Sequence, residues 1–114
     1  MCGGRLFDDA SYLNTELDKL NRDYGFKVLI EGGAKGADRL AGAWADAHGI
    51  EHKRFPADWD NLGRKAGSIR NKQMLEEGKP DLVIAFPGTS GTFNMCRQAE
   101  MAGVAVIVVA GQSR

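Results

Sequence analysis

Four short strand-like runs, separated by helix-like segments, constrain the fold of this chain more than any other feature. The runs cover residues 27–31, 50–55, 81–86 and 104–109. The third and fourth are almost continuously apolar and the fourth is nearly all β-branched, whereas the second is the weakest. Continuous apolar strands of this kind are buried on both faces, as in parallel sheets. The chain is therefore predicted to contain a buried parallel sheet.

Between these runs, apolar residues recur at helical spacing. The predicted helices cover residues 9–24, 37–48, 68–77 and 92–102. Each is followed by a glycine suited to a left-handed helix exit. These glycines are Gly25, Gly49, Gly78 and Gly103. The alternation predicts one α/β domain over residues 1–114, built as a three-layer, doubly wound (Rossmann-like) parallel sheet with right-handed crossovers.

The start of the chain departs from this pattern. A doubly wound fold begins with a central strand, but Met1 and Cys2 leave almost no residues for it. Gly3 and Gly4 look like the turn that should follow that strand. We therefore expect a first strand that is truncated or very short. The alternative is a fold that opens with a loop.

Composition narrows the class of protein. A hydrophobic fraction of 43% fits one globular domain, and 15 basic residues balance 15 acidic ones, which argues against a nucleic-acid partner. The longest apolar run, residues 104–110, is too short to span a bilayer. The chain does not open with a charged-then-apolar pattern and a small-residue cleavage site, so we do not expect secretion. Cys2 and Cys96 lack metal-ligand spacing. We expect a cytoplasmic protein with reduced thiols, no membrane contact, no bound metal and no cofactor.

Core and surface positions follow from the same spacing. Trp44, Met74, Met95 and Met101 fall at core positions of their helices. His48 and His52 flank a turn and have no partner at metal-ligand spacing, so they are predicted to be surface residues.

Three glycine-rich turns occupy predicted strand-to-helix junctions. They span residues 2–5, 32–38 and 87–92. In an open parallel sheet such junctions share one edge, where ligands bind. Glycine lets the backbone approach an anion, and the following helix offers free N–H groups and a positive dipole end. A phosphate is the predicted ligand. The alternative is that each glycine is required only by the steric demands of its tight turn.

Charged side chains near these turns extend the predicted site. Arg5, Lys35 and Arg70 are candidate phosphate partners, although loop cations are often only solvated. Arg70 is predicted in the first turn of a helix that Ser68 can cap, where a cation opposes the dipole and an anionic ligand would relieve that cost. The alternative for Arg70 is a surface ion pair. Asp38 has two possible roles. It interacts favourably with the helix dipole, or it accepts hydrogen bonds from loop N–H groups or a sugar hydroxyl.

Other polar and aromatic residues complete the predicted site. Trp59, beside Asp58, could stack on a base or pin its own loop. Asn71 could bond a ribose or base edge, or be solvated. One of the hydroxyls in the third turn is expected to cap a helix. The predicted ligand-binding residues are Gly3, Gly4, Arg5, Gly32, Gly33, Ala34, Lys35, Gly36, Asp38, Asp58, Trp59, Arg70, Asn71, Gly88, Thr89, Ser90, Gly91 and Thr92.

These turns match neither the dinucleotide fingerprint G-x-G-x-x-G nor the P-loop G-x-x-x-x-G-K-[ST]. Their combination resembles another family. The resemblance rests on Gly-Gly-Arg near the start, GGAKGADRLAGAWA at 32–45, FPADW at 55–59, GRKAGSIRNKQML at 63–75 and PDLVIAFPGTSGT at 80–92. These segments are similar to the YspA-type branch of the SLOG superfamily, which includes DprA/Smf DNA-processing proteins and LOG phosphoribohydrolases. The resemblance implies a Rossmann-like fold and a nucleotide-derived ligand.

The chain departs from the LOG motif P-G-G-x-G-T-x-x-E at two positions. Thr89 replaces the second glycine, and Met95 replaces the glutamate that acts on the ribose in LOG enzymes. Methionine can neither transfer a proton nor stabilise positive charge on a sugar. Arg70 matches the LOG arginine. The resemblance thus implies a retained phosphate-and-sugar site, while the change at Met95 counts against LOG-type hydrolysis.

Three functions remain open from the sequence. The leading prediction is a non-catalytic sensor or binding domain for a nucleotide or nucleotide-derived ligand. The first alternative is a hydrolase of the N-glycosidic bond, with Asp38 or Asp58 as its carboxylate. The second is DprA-like binding of single-stranded DNA, against which the neutral charge counts. Relatives in the superfamily often dimerise, so a homodimer is also open.

Overall fold

Helices and strands alternate along the chain as the apolar pattern predicts. A computed structural model describes residues 1–110. The elements are α1 (Ala10–Tyr24), β1 (Val28–Glu31), α2 (Ala37–Ala47), β2 (Glu51–Arg54), α3 (Trp59–Leu62), a 3-10 turn (Gly63–Lys65), α4 (Ala66–Gly78), β3 (Leu82–Ala85), α5 (Ser90–Met101) and β4 (Ala105–Val108). The prediction of a mixed α/β domain with short parallel strands is confirmed.

Local signals set most helix ends. The Asp9 side chain accepts a hydrogen bond from the Tyr12 N–H at 3.0 Å and so begins α1. Gly25, with φ of +68°, ends that helix in the left-handed region. Within residues 1–110, none of the helices is long and apolar enough to cross a bilayer.

Helix α4 differs from the prediction at both ends. It begins at Ala66, because α3 and the 3-10 turn lead into it without a capping side chain, so Ser68 is not its N-cap. Arg70 consequently lies in the second turn, not the first. Gly78 remains inside the helix, and Lys79 takes the left-handed exit with φ of +47°. The predicted cap and exit were therefore wrong here.

The strands form two parallel pairs. β1 pairs with β2 from Val28–Glu51 through Glu31–Arg54, and β3 pairs with β4 from Leu82–Ala105 through Ala85–Val108. Parallel pairing places the carboxyl ends of both strands of each pair at the same edge. The turns that follow β1 and β3 are the second and third glycine-rich turns of the sequence.

The first two residues lie between the two pairs. The Cys2 N–H donates to the Ile84 carbonyl at 2.9 Å, and the Phe86 N–H donates to the Cys2 carbonyl at 2.9 Å. On the other side, the Met1 nitrogen donates to the Ile30 carbonyl at 3.0 Å. Cys2 forms a single parallel bridge with Ala85. Two residues are too few for a ladder, so two two-stranded sheets stand where the sequence predicts one continuous sheet.

The core consists of two apolar clusters that share β3. Ile84 packs in the cluster built mainly by α1 and α2, while Val83 packs in the cluster built by α4 and α5. This alternation follows from the two-residue period of a strand. Burying a side chain of this size contributes about 1.5–3 kcal/mol to folding. Trp44, Met74 and Met95 are buried as predicted, but Met101 is 80% exposed, so that prediction was wrong.

Candidate functional site

The three glycine-rich turns open onto one cavity of about 810 Å³. Most of the predicted site residues line it. They are Gly3, Gly4, Arg5, Gly32, Ala34, Asp38, Trp59, Arg70, Asn71, Gly88, Thr89, Ser90, Gly91 and Thr92. The remaining four predicted residues, Gly33, Lys35, Gly36 and Asp58, are outside the lining. Lys35 and Asp58 are exposed, and Asp58 instead caps α3 by accepting from the Asn61 N–H at 3.2 Å.

Close contact between backbones explains two of the glycines. The Gly4 N–H donates to the Pro87 carbonyl at 2.9 Å, and the Gly4 carbonyl accepts from the Ala37 N–H at 3.1 Å. Gly4 therefore joins the third turn to the start of α2. Gly36, with φ of +77°, lies so close that a Cβ on it would collide with the carbonyl oxygens of Gly4 and Arg5. At Gly4 and Gly36, close packing of the backbone is therefore sufficient to require glycine.

Asp38 is buried beside the second turn. Its Oδ2 accepts a hydrogen bond from the Ala34 N–H at 3.2 Å. This is the bond to a loop N–H that the sequence suggests. Burial raises the pKa of the Asp38 carboxyl above its usual range, and the hydrogen bond from Ala34 opposes that rise. The charged form is thus disfavoured, and a hydroxyl donor in the cavity would stabilise it.

We predict that Asp38 makes the protein less stable as pH rises. A carboxyl with a raised pKa in the folded state binds its proton more tightly than the unfolded chain does. Its contribution to stability is therefore complete below the ordinary aspartate pKa and is lost as pH rises through the folded-state pKa. Asp38→Asn, which keeps an oxygen for the Ala34 N–H, should remove that decline.

Urea unfolding between pH 4 and 7 measures this effect. As pH rises, the free energy of unfolding of Asp38→Asn should increase relative to that of the wild type. Asp58→Asn, at the exposed cap of α3, is the control for the same chemical change outside the cavity. Parallel pH curves for the wild type and Asp38→Asn would contradict the prediction.

Glu31 contacts the second turn and was missed from the sequence. The carboxylate is 0% exposed and accepts from the Gly33 N–H and from Arg54 Nε, the latter at 2.9 Å. His52 Nε2 lies 2.6 Å from Glu31 Oε2, and its side chain is only 14% exposed, so the prediction of a surface His52 was wrong. The available signal was a charged residue closing an apolar strand, since a buried carboxylate needs partners.

Arg70 brings a cation into the cavity. Its Nη1 donates to the Gly32 carbonyl at 2.6 Å, an approach that a Cβ on Gly32 would block. Within residues 1–110, no carboxylate oxygen lies within 4.0 Å of its guanidinium, which contradicts the alternative of an ion-paired surface arginine. Burial lowers the pKa of Arg70, Asp38 opposes that shift and Arg5 adds to it. Arginine stays charged at neutral pH, so the site favours an anion.

Asn71 connects Arg70 to the third turn. It is 4% exposed, and its Oδ1 accepts from Arg70 Nε at 3.0 Å. Its Nδ2 donates to the Gly91 carbonyl at 3.2 Å and to Asn94 Oδ1 at 3.1 Å. Asn71 is therefore not a solvated helix residue, and its side chain joins Arg70 to the third turn. A hydrogen bond from Asn71 to a ribose or base edge stays a prediction.

The third turn places the start of α5 at the cavity. Thr89 precedes the helix without a side-chain cap, so the expected capping hydroxyl was wrong. The N–H groups of Ser90, Gly91 and Thr92 have no acceptor among residues 1–110. Free N–H groups and a positive dipole end are what an anion requires at a helix start.

Trp59 and Arg5 stack at one side of the cavity. The Arg5 Cζ lies 5.1 Å from the centre of the Trp59 ring, within cation–π range. The ring also approaches α4, because a Cβ on Gly67 would lie 3.3 Å from Trp59 Cη2. Trp59 is half exposed and pinned on these two sides. Stacking of the ring on a base stays a prediction.

The segment before α1 and the first turn of α1 supply lining residues that the sequence did not suggest. Phe7, Asp8 and Tyr12 line the cavity, and the Phe7 ring packs against Phe86 at 5.5 Å between centroids. Cys2 also lines it, but burial raises the pKa of the thiol to about 12, so it offers no thiolate near neutral pH. Within residues 1–110, no group of three His, Cys, Asp or Glu side chains is arranged to hold a metal ion.

Met95, which the sequence resemblance aligns with the LOG glutamate, is buried in the cluster of α4 and α5. It packs with Met74 and Ala99, so this side chain contributes to the core of the domain.

Together these features define a small α/β domain with parallel strands, in which glycine-rich turns from separate crossovers meet at one cavity. The profile of the YspA, cpYpsA-related SLOG family matches residues 1–61. The chain belongs to that family, and the resemblance noted from the sequence is confirmed. The match includes the first two turns and Trp59, whereas Arg70 and the third turn lie beyond it.

A phage protein is similar over nearly the whole length. The Gene 61 protein of Mycobacterium phage D29 is 39% identical over 114 residues, covering 92% of this chain and 90% of the phage protein. This similarity extends past residue 61, where the family profile stops. No solved structure matches the chain significantly.

Proposed function

We propose that this protein binds a nucleotide or nucleotide-derived ligand in the cavity, as a non-catalytic sensor or binding domain. The observation that carries the proposal is the Arg70 guanidinium, which enters the cavity without a carboxylate partner among residues 1–110. The free N–H groups at the start of α5 line the same cavity. Membership of the SLOG family supports a nucleotide-related ligand.

Each part of such a ligand has suitable partners. Arg70 and the N–H groups of residues 90–92 would hold a phosphate, with Arg5 as a second cation. Asp38 would accept from a sugar hydroxyl, and Trp59 would flank the base.

Phosphate recognition by backbone amides at strand-to-helix turns also fits a doubly wound, three-layer arrangement. We propose that arrangement, with Met1 and Cys2 as the central strand, and a cytoplasmic location.

A thermal-shift panel tests the function. Wild-type protein is heated with AMP, NAD, ADP-ribose, adenosine and inorganic phosphate. The phosphorylated nucleotides should raise the Tm, and adenosine should do so less, because it lacks the group that Arg70 would bind. A ligand at 100 times its Kd stabilises by about 2.7 kcal/mol, which is readily measured. No increase with any of the nucleotides at millimolar concentration would contradict the proposal.

A second candidate function is hydrolysis of the N-glycosidic bond. It is favoured by one observation: Asp38 is a cavity carboxyl whose pKa burial raises, as in general acids. Chromatography of AMP, NAD and ADP-ribose after incubation would reveal free base. Turnover by the wild type that Asp38→Asn abolishes, with nucleotide binding retained, would establish this activity and overturn the sensor proposal.

A further inference from the structure

We infer that Glu31 is a positioning residue, whose buried carboxylate holds the second glycine turn in the form that receives the ligand. The part of this turn that precedes α2, residues 32–36, lines the cavity through Gly32 and Ala34. The effect on ligand affinity rests on the proposed function. The effect on the turn itself does not.

The carboxylate is paired on both oxygens. Oε1 accepts from the Gly33 N–H, while Oε2 accepts from Arg54 Nε at 2.9 Å and lies 2.6 Å from His52 Nε2. Burying a carboxylate is costly unless it is paired and hydrogen-bonded in this way. The backbone N–H of Gly33 is thus one of the groups that makes burial of Glu31 tolerable, and the two must move together.

The position of Gly33 determines what its neighbours present to the cavity. The preceding carbonyl, of Gly32, accepts from Arg70, and the following N–H, of Ala34, donates to Asp38. Gly33 itself has φ of +75°. A turn released from Glu31 would shift the acceptor of Arg70 and the donor to Asp38 at once.

The same carboxylate anchors the turn to the rest of the domain. Arg54 lies over Gly33, so close that a Cβ there would be 3.1 Å from Arg54 Cδ. His52 Nδ1 also lies 3.4 Å from Asp46 Oδ1, on α2. Glu31 therefore connects the end of β1, the end of β2 and the last turn of α2 to a single backbone N–H.

Amide hydrogen exchange followed by NMR tests this inference without any ligand. Glu31→Gln keeps a neutral acceptor for the Gly33 N–H, Glu31→Leu removes the acceptor, and Arg54→Met removes a partner of Glu31 but leaves the acceptor. We expect the exchange rate of the Gly33 amide to rise by at least about tenfold in Glu31→Leu and by less in Glu31→Gln. Arg54→Met should change it by less than about threefold.

Remote amides of α1 and α5 provide the internal reference for global stability. A merely structural glutamate would change Gly33 and these amides by the same factor. If Glu31→Leu fails to fold, Glu31→Gln and Arg54→Met still decide: an unchanged Gly33 amide in Glu31→Gln, or an equal increase in Arg54→Met, would overturn the inference.

Binding of AMP, NAD and ADP-ribose supplies the second measurement. Any of these that the wild type binds should bind Glu31→Leu at least about tenfold more weakly and Glu31→Gln with an intermediate Kd, whereas Glu100→Gln on the exposed face of α5 should match the wild type. Wild-type affinity in Glu31→Leu would overturn the positioning role. Failure of the wild type to bind any of them would overturn the proposed function instead, while the exchange result still decides the role of Glu31.

Discussion

Gly36→Ala is expected to destabilise the protein by about 3 kcal/mol or more, the largest stability change predicted for this chain. Gly36 has φ of +77° and ψ of −126°, a backbone conformation that costs other residues roughly 1–3 kcal/mol. A Cβ there also collides with the carbonyl oxygens of Gly4 and Arg5. Both are backbone atoms of the first turn, so the collision cannot be relieved by a side-chain rotation. Urea unfolding should measure the loss directly.

Gly63→Ala is the matched control for this prediction. Gly63 has nearly the same backbone conformation as Gly36, with φ of +57° and ψ of −136°, but a Cβ on it would meet nothing within 4 Å. Its substitution should therefore cost only the backbone strain, roughly 1–3 kcal/mol. The difference between the two variants isolates the contact between the first and second turns. The structure indicates a close contact between the two turns, and equal losses of stability in the two variants would contradict it.

Elements whose determinants are local were predicted well. Asp9 and Gly25 bound α1 through groups within four residues of each helix end, and such signals are visible in sequence. The start of α4 was missed because a preceding 3-10 turn, not a capping residue, feeds it. A continuous sheet was predicted from the apolar runs. The link between the two strand pairs is only Met1 and Cys2, and two residues are too few to show a strand pattern in the sequence.

Contacts that are distant in sequence explain the rest of the differences. Arg70 meets a carbonyl 38 residues away, and Glu31 meets His52 across 21 residues. Patterns of spacing identified Arg70 as a candidate but could not supply its partner. The protein partners of Asn71 could not be predicted for the same reason, since they lie in the third turn and on α5. Buried polar networks are specified by the whole fold, so the sequence suggested the cavity and not the bonds that organise it.

Replacing Arg70 by methionine should weaken the binding of phosphorylated nucleotides by about 10- to 100-fold. A hydrogen bond from a guanidinium to a phosphate contributes roughly 1.5–3 kcal/mol, and Arg70 enters the cavity with no competing carboxylate among residues 1–110. Arg70→Lys should fall between, because lysine keeps the charge but cannot donate to both Asn71 and Gly32 while facing a phosphate. Isothermal titration with AMP, NAD and ADP-ribose measures the three Kd values.

Stability and binding respond differently to this substitution, which separates a ligand group from a structural one. In Arg70→Met the lost bonds to Gly32 and Asn71 are offset by relief from burying an unpaired cation, so the Tm without ligand should stay within a few degrees of the wild type. Arg97→Met, at an exposed position of α5 outside the cavity, is the control and should leave both the Tm and the affinity unchanged. Undiminished nucleotide affinity in Arg70→Met would mean that the anion is held elsewhere, and the site would have to be moved away from this arginine.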